Sequence, residues 1–305
     1  MAKQTGPAAL SLIGLLSCLA LWMAPYTTAT TTPAPVSPTA GPPIHSAWNE
    51  PALGEPITIT ISDADRNLKL DRAKDYILDC PSGRVPLSWP LVVWGGRNVV
   101  FQDCDIDVTI RNWAAAFKNQ AGTLWVHDVH FGGGRLTGGI QLQEPAATVV
   151  LRDVLFDRVH GSFHAHHAEC LQTWAGPRRL LVDGFTCPTT YQGVFLLPNQ
   201  LDHGPAPAIF DLRHIDVDDS RGAVALWLGD VTGGLSAVRL NLQDVYVVPN
   251  PARTWRGWWL WPRAGIWNGV RAGPPPGGHY VHPAAAGASG IDEGVSPVPL
   301  PRELP

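Results

Sequence analysis

The chain has 305 residues, of which 45% are hydrophobic and only 16% are charged, with a formal net charge of −4. An ordinary globular domain has about 25% charged residues. This balance argues against a nucleic-acid-binding protein, which would carry a basic stripe, and against a highly charged disordered chain.

The first 56 residues are expected to contribute no fold. A stretch over residues 8–23 is apolar, follows Lys3 and precedes small residues, which predicts a secretory signal peptide over residues 1–26. A short membrane anchor is the alternative. Residues 27–56 are rich in Thr, Pro and Ala and are expected to form an extended linker. The protein is therefore expected to be secreted or tethered to the cell surface, touching a membrane only through its N-terminal segment.

One eight-residue pattern recurs through the middle of the chain: apolar, any, apolar, any, a turn residue, apolar, any, apolar. Its copies span residues 99–106, 124–131, 149–156, 180–187, 210–217 and 240–247. The turn residues are Asp103, Asp128, Asp153, Gly184, His214 and Asp244. Counted from a partial copy at Asp79, they recur every 24–31 residues. Alternating apolar residues repeated at this interval are typical of a β-solenoid, in which each coil adds short strands to stacked sheets.

A third strand is predicted between successive copies. Its candidates are residues 139–143, 170–174, 193–197 and 223–227. Alternation along these strands predicts two outward stacks, one of Gln141, Gln172, Phe195 and Ala225, the other of Gln143, Trp174, Leu197 and Trp227.

With this third strand the sequence resembles the right-handed parallel β-helix superfamily, the pectate-lyase-like fold, over about residues 57–262. The resemblance rests on the repeat length and on three strands per coil. It implies an all-β domain over residues 57–271, a right-handed parallel β-helix of about seven coils. A Gly- and Pro-rich tail over residues 272–305 is expected to be poorly ordered.

Two cysteine pairs are possible in an exported domain. Cys80 and Cys104 occupy the same repeat position in adjacent coils and are expected to lie within disulfide range, with two buried thiols as the alternative. Cys187 is expected to point inward and Cys170 outward, which makes a bond between them doubtful.

Two insertions mark where chemistry is expected, because function in such a fold concentrates in long loops. Residues 160–169 enter the third-strand sheet and residues 199–208 leave it, so they are expected to rim opposite edges of one face. That face carries amide and indole groups, which suit sugar rings. The expected substrate-binding residues are Gln141, Gln172, Trp174, Arg178, Asn199, Asp202, His203 and Trp227.

The first insertion is rich in histidine, whose imidazole titrates near neutral pH. His164, His166, His167 and Glu169 are the candidates for proton transfer, as in a β-elimination of a uronate whose carboxylate an arginine neutralises. No resident cofactor is expected, although a metal ion on His164, His166 and either His167 or Glu169 is an open alternative. A solvated loop without function is the other.

The motifs of the superfamily are informative mainly by their absence. Polygalacturonase-like hydrolases carry Gly-His-Gly, and classical pectate lyases carry Trp-Ile-Asp-His; neither of these occurs here. Asp218-Asp219 is the only Asp-Asp pair, and with Asp216 it is expected to be a solvated turn. Residues 167–172 are similar to a His-x-Asp-Gly-Ile-Gln segment of bacterial β-helix proteins, with Glu169 and Cys170 replacing Asp and Gly.

Tryptophans cluster near the C-terminal end of the repeats: Trp255, Trp258, Trp259, Trp261 and Trp267. A cap over the open end of the core is the favoured interpretation, and a surface for carbohydrate is the alternative.

Two functions follow from these patterns. The first is an exported protein that binds, and as a lyase cleaves, an acidic polysaccharide. The second is a non-catalytic surface, adhesin or phage-type β-helix that binds a cell-surface glycan or a protein. Whether the protein is an enzyme stays open at this point.

Overall fold

Short strands dominate the chain, as the alternating apolar pattern predicts. The computed structural model describes residues 49–134, 136–162, 164–198, 200, 208–222, 224–229, 238–252, 259–262 and 265–282. Within these ranges one short 3₁₀ helix, Gly265–Trp267, accompanies the strands, and no helix is long and apolar enough to cross a membrane. The strands are β1 Ile57–Thr60, β2 Asn67–Leu70, β3 Tyr76–Asp79, β4 Arg84–Leu87, β5 Leu91–Gly95, β6 Val99–Val108, β7 Trp113–Lys118, β8 Thr123–Gly132, β9 Gly138–Gln143, β10 Thr148–Phe156, β11 Leu171–Ala175, β12 Arg179–Pro188, β13 Gln192–Leu196, β14 Ala208–Asp219, β15 Val224–Leu228, β16 Val238–Pro249, β17 Leu260–Trp261 and β18 Val270–Ala272.

These strands form two parallel sheets. The first has ten strands in the order β1-β3-β6-β8-β10-β12-β14-β16-β18, with β4 also paired to β6. The second has eight, in the order β2-β5-β7-β9-β11-β13-β15-β17. From β5 to β18 the chain alternates between the sheets, and each strand pairs in parallel with the next strand of its own sheet. The predicted all-β, parallel and repetitive architecture is confirmed, and it is compatible with a β-solenoid.

Each long strand of the ten-stranded sheet has two arms that meet at the turn residue of the repeat. All six turn residues have a left-handed backbone, with φ of 54° at Asp103, 53° at Asp128, 51° at Asp153, 79° at Gly184, 46° at His214 and 51° at Asp244. The pairing of β6 with β8 skips this position, since Gln102 pairs with His127 and Cys104 with Val129. Asp, His and Gly are the residues that adopt this conformation most readily. The repeat therefore encodes a bend between two arms.

The apolar positions of both sheets point into one core. Its largest members include the fully buried phenylalanines Phe101, Phe117, Phe131, Phe156, Phe185 and Phe210. Ring centroids of Phe131 and Phe156 are 5.4 Å apart, and those of Phe156 and Phe185 are 5.5 Å apart. Burying each such ring stabilises the fold by about 2–3 kcal/mol.

The register of the eight-stranded sheet differs from the prediction at one end. Phe195 pairs with Trp227, whereas alternation places Phe195 beside Ala225 and Trp227 in the other stack. A shift between Thr173 and Ala175 also interrupts the β9–β11 pairing, so Gln143 pairs with Ala175 and not with Trp174. Bulges change the register without leaving a trace in the alternation.

Two disulfides join the four cysteines of the described region. Cys80 is bonded to Cys104, with Cα atoms 5.2 Å apart. Cys170 is bonded to Cys187, with Cα atoms 6.0 Å apart, and both are fully buried. The predicted outward direction of Cys170 is wrong because β11 begins only at Leu171, so strand alternation does not extend to this cysteine.

Residues 273–282, expected to be poorly ordered, pack across the second arms of β12 and β14. We call them the C-terminal strap. His279 Nδ1 lies 2.6 Å from Asp216 Oδ2, and the backbone N–H of Val281 donates to Thr186 Oγ1 at 3.1 Å. Asp216, expected to be a solvated turn residue, is only 4% exposed because it lies within β14 beneath this strap. The rest of the tail, residues 283–305, lies outside the described residues, as do residues 1–48.

The tryptophans near the C-terminus divide between core and surface. Trp259 and Trp267 are buried and belong to the main core, and the Trp267 indole N–H donates to the carbonyl of Trp261 at 3.1 Å. The Trp261 side chain is 40% exposed. Trp255 and Trp258 lie outside the described residues.

Candidate functional site

A row of aromatic and amide side chains runs along the outer face of the eight-stranded sheet. Register pairing aligns Gln141, Gln172, Phe195, Trp227 and Trp261, one from each of five neighbouring strands. We call this set the outer row. The Phe195 and Trp227 ring centroids are 5.0 Å apart, and those of Trp227 and Trp261 are 5.1 Å apart. The row therefore passes from amides at one end to stacked aromatic rings at the other.

A second row lies beside it on the same face. Trp94 pairs with Lys118, and Lys118 pairs with Gln143. The Lys118 ammonium nitrogen is 4.7 Å from the centroid of the Trp94 ring, within the range of a cation–π contact. Trp174, at the bulge in β11, is half-buried. Among the predicted binding residues, the structure brings Gln141, Gln172 and Trp227 into one row.

The edge where the chain leaves this sheet carries two arginines. Arg178 and Arg179 are exposed and, with Ala146, Thr148 and Ile209, line an open pocket of about 410 Å³. Within the described part of the chain, no carboxylate forms an ion pair with either guanidinium. Guanidinium groups bind carboxylate, sulfate and phosphate through paired hydrogen bonds. This pocket is a candidate site for an anionic group.

The histidine-rich insertion lies at the opposite edge, where the chain enters the sheet. His164, His166 and His167 are exposed, and the His167 ring centroid lies 5.3 Å from that of Tyr191. Glu169 is only 6% exposed, and its burial raises the pKa of its carboxyl group to about 8. Of the four candidates for proton transfer, the three histidines are therefore exposed to solvent and Glu169 is buried. Among the described residues no three His, Cys, Asp or Glu side chains are placed to hold a metal ion.

His160, the first histidine of this insertion, sits in a basic environment. Partial burial lowers the pKa of its imidazole, and the positive charges of Arg158, Arg221 and Arg111 lower it further. The imidazole is therefore biased toward its neutral form, which can accept a proton. A sequence signal for this cluster exists, since an arginine follows several copies of the repeat at Arg111, Arg135, Arg158 and Arg221.

Another histidine is enclosed in an acidic network. His130 Nδ1 lies 3.0 Å from Asp105 Oδ1, and its Nε2 lies 3.0 Å from Asp157 Oδ1. Burial is the largest single influence on the pKa of Asp157 and acts to raise it. The hydrogen bond with His130, the charges of His130 and Arg84 and the Gly133 N–H together outweigh burial, so the net shift of the pKa is downward. His130 has no exposed surface. His130 and Asp105 are buried, whereas the Asp157 side chain is 41% exposed, and the network holds β6, β8 and the end of β10 together.

Three predicted binding residues, Asn199, Asp202 and His203, lie outside the described residues.

Comparison of the chain with protein-family models, with curated proteins and with solved structures yields no match.

Proposed function

We propose that the protein is an exported right-handed parallel β-helix of about seven coils and three strands per coil that binds an acidic polysaccharide. The two-armed long strands, each followed by one strand of the eight-stranded sheet, support three strands per coil. Stacked coils about 4.8 Å apart give a long surface along which a polymer can lie.

The observation that carries this proposal is the outer row. Sugar rings present an apolar face that packs on aromatic side chains and hydroxyl groups that bond to amides. Phe195, Trp227 and Trp261 supply the aromatic surface, and the half-buried Gln141 supplies an amide in the same row, whereas Gln172 is only 6% exposed. Their stacking at about 5 Å also stabilises the sheet, as cross-strand aromatic pairs do.

The preference for an acidic polymer is supported by the cations that border this face. Lys118 lies within it, and Arg178 and Arg179 line the pocket at its exit edge. A carboxylate or sulfate on a sugar would replace the solvent around these guanidinium groups with charge-assisted hydrogen bonds.

Binding of a glycan with Trp227 changed to alanine tests the proposal. We expect the Kd for polygalacturonate to rise roughly five- to tenfold, since an aromatic contact contributes about 1–1.5 kcal/mol. Trp89→Ala is the matched control, because Trp89 is 54% exposed and lies between β4 and β5, outside the outer row. Equal affinities of the two variants, measured by calorimetry, would exclude the outer row as the binding surface.

Cleavage by β-elimination is the second candidate. It is supported by three exposed imidazoles at the entry edge and by arginines at both edges of the face. An imidazole would take the proton from C5 of a uronate, an arginine would neutralise the carboxylate, and the C4 oxygen would leave as the double bond forms.

Absorbance of an unsaturated uronate product follows this reaction directly. A lyase gives a signal with wild-type protein that falls at least about a hundredfold when the histidine that acts as base is replaced, with His164→Ala and His166→Ala tested separately. If wild-type protein gives no signal on a panel of uronate polymers that it binds, the protein is a binding module and not a lyase.

A further inference from the structure

The connections between the ten-stranded and eight-stranded sheets stack on one another at the entry edge. Backbone hydrogen bonds join neighbouring connections: Thr137 N to Asn112 O at 2.8 Å, His160 N to Leu136 O at 2.7 Å, Thr190 N to Val159 O at 3.0 Å and Thr189 N to Asp218 O at 2.9 Å. Side chains that leave these connections are therefore held side by side along the length of the molecule.

Four of these connections carry an arginine in the sequence; Arg135 lies outside the described residues, and the other three follow alternate strands of the ten-stranded sheet. Arg111 follows β6, Arg158 follows β10 and Arg221 follows β14, so each is separated from the next by one intervening connection. With a spacing of about 4.8 Å between coils, neighbouring arginines recur about 10 Å apart along the molecule. We call Arg111, Arg158, His160 and Arg221 the basic corner.

The charge that this corner offers to a ligand is positive. Arg111 and Arg221 are exposed. Arg158 Nη2 donates to Asp218 Oδ2 at 3.2 Å, while its Nη1 is buried and has no hydrogen-bond partner among the described residues. Asp219, the other carboxylate of this corner, is fully buried. The positive charges that act on His160 are in keeping with this arrangement.

We infer that the basic corner binds the anionic groups, carboxylate or sulfate, of an extended glycan polyanion. Guanidinium groups match the planar oxygen pairs of these anions, and their repetition along the molecule suits a polymer better than a single small anion. The corner lies at the edge opposite the Arg178 pocket. The inference does not depend on the outer row, since its evidence is the charge and stacking of the connections.

The test measures binding of three polymers to the full chain at low and high salt. Heparin supplies sulfate, polygalacturonate supplies carboxylate alone, and dextran is uncharged. We expect binding of at least one polyanion that weakens as salt rises, because exposed charges are screened. Heparin binding alone identifies sulfate as the group recognised, and equal binding of both identifies the shared anionic character.

Two variants locate the site. Arg111→Gln and Arg221→Gln are each expected to weaken polyanion binding roughly two- to fivefold, as expected for one exposed charge pair. Arg152→Gln is the matched control, because Arg152 is exposed on β10 and belongs neither to the corner nor to the lining of the exit pocket. Arg221→Lys keeps the charge but not the planar fork, so its affinity is expected to lie between those of wild type and Arg221→Gln.

Several outcomes would overturn the inference. It fails if Arg152→Gln weakens binding as much as the corner variants. It also fails if only Arg178→Gln weakens binding, which moves the site to the exit pocket. It also fails if a DNA duplex of equal charge binds more tightly than either glycan. Trp227→Ala separates this inference from the proposed function. If the variant loses affinity for polygalacturonate but keeps the salt dependence of binding, both the outer row and the basic corner are supported. If its affinity is unchanged, the outer row is rejected and the basic corner is not.

Discussion

Glu169 is a carboxyl group in a position where its charged form is unfavourable. It lies just before β11, beside the buried Cys170, and its own carbonyl accepts a hydrogen bond from the Gly139 N–H at 2.6 Å. The backbone is thus fixed in the stack of coils, and the side chain is carried inside with it. Burial is the main cause of the increase in its pKa from 4.5 to about 8.

This pKa makes stability depend on pH. Between about pH 4.5 and 8 the folded protein holds a proton on Glu169 that the unfolded chain releases, so the contribution is complete at low pH and is lost as pH rises through 8. We expect Glu169→Gln to reduce the loss of unfolding free energy between pH 5 and pH 9 by roughly 2–4 kcal/mol. Urea denaturation at pH 5, 7 and 9 measures it.

The exposed Glu55→Gln is the control for this substitution and should leave the pH profile unchanged. Parallel profiles for wild type and Glu169→Gln would mean that Glu169 is not protonated in the folded protein. The sequence placed Glu169 beside the histidines as a candidate for proton transfer. It could not reveal the burial, which depends on how the neighbouring coils cover this turn.

At the scale of elements, the bends between arms bring like charges together. Asp103, Asp128 and Asp153 occupy the same position in β6, β8 and β10. Burial is the largest cause of the raised pKa of Asp128, and the charges of Asp103 and Asp153 raise it further, against the effect of His127. One carboxylate oxygen of Asp128 is buried without a hydrogen-bond partner in the described structure. Ionised Asp128 at this left-handed bend is therefore destabilised by its burial and by repulsion from Asp103 and Asp153.

Replacing Asp128 with asparagine should relieve this cost. Asparagine adopts the left-handed conformation readily and carries no charge. We expect Asp128→Asn to raise the unfolding free energy by a few tenths of a kcal/mol at pH 7, where the aspartate is ionised, and to give no gain at pH 3. Thermal unfolding at both pH values measures the difference. An equal gain at pH 3 would show that conformational preference, and not charge, is responsible.

The bends were predictable from sequence because a turn residue between alternating apolar arms is a local signal. The pairing of Phe195 with Trp227 was not, because it depends on register shifts between strands, where one residue moves a side chain from one row to another. Cys170 shows the same limit, since its direction depends on where β11 begins. Of the candidate site, strand alternation predicted Gln141, Gln172 and Trp227 as binding residues, whereas the alignment of Phe195 and Trp261 with Trp227 required the register and the basic corner required the stacking of connections.

At the scale of the whole molecule, the C-terminal strap ties residues 273–282 to the second arms of β10, β12 and β14. Val281 packs on Leu155, and the backbone N–H of Tyr280 donates to Asp216 Oδ1 at 3.1 Å. The two partner residues, Leu155 and Asp216, are both distant from the strap in sequence. The Gly- and Pro-rich composition predicts no order here because composition carries no information about such distant partners.

Deleting residues 274–305 should expose Leu155 and leave Asp216 without the partners that the strap provides. From one buried apolar contact and three hydrogen bonds we expect a loss of about 2–4 kcal/mol in unfolding free energy, measured by urea denaturation. Deleting residues 283–305 alone keeps the strap and is the control. If both deletions have the same effect, the strap does not stabilise the fold.

The two disulfides also determine how the protein responds to mechanical force. A chain pulled from its ends unravels strand by strand, but a segment closed by a covalent bond cannot lengthen. The bonds Cys80–Cys104 and Cys170–Cys187 enclose sequence separations of 24 and 17 residues. At about 3.5 Å per residue they withhold roughly 80 Å and 60 Å of contour length from a stretching force. Under oxidising conditions each bonded segment would resist extension even after the neighbouring strands had been pulled apart.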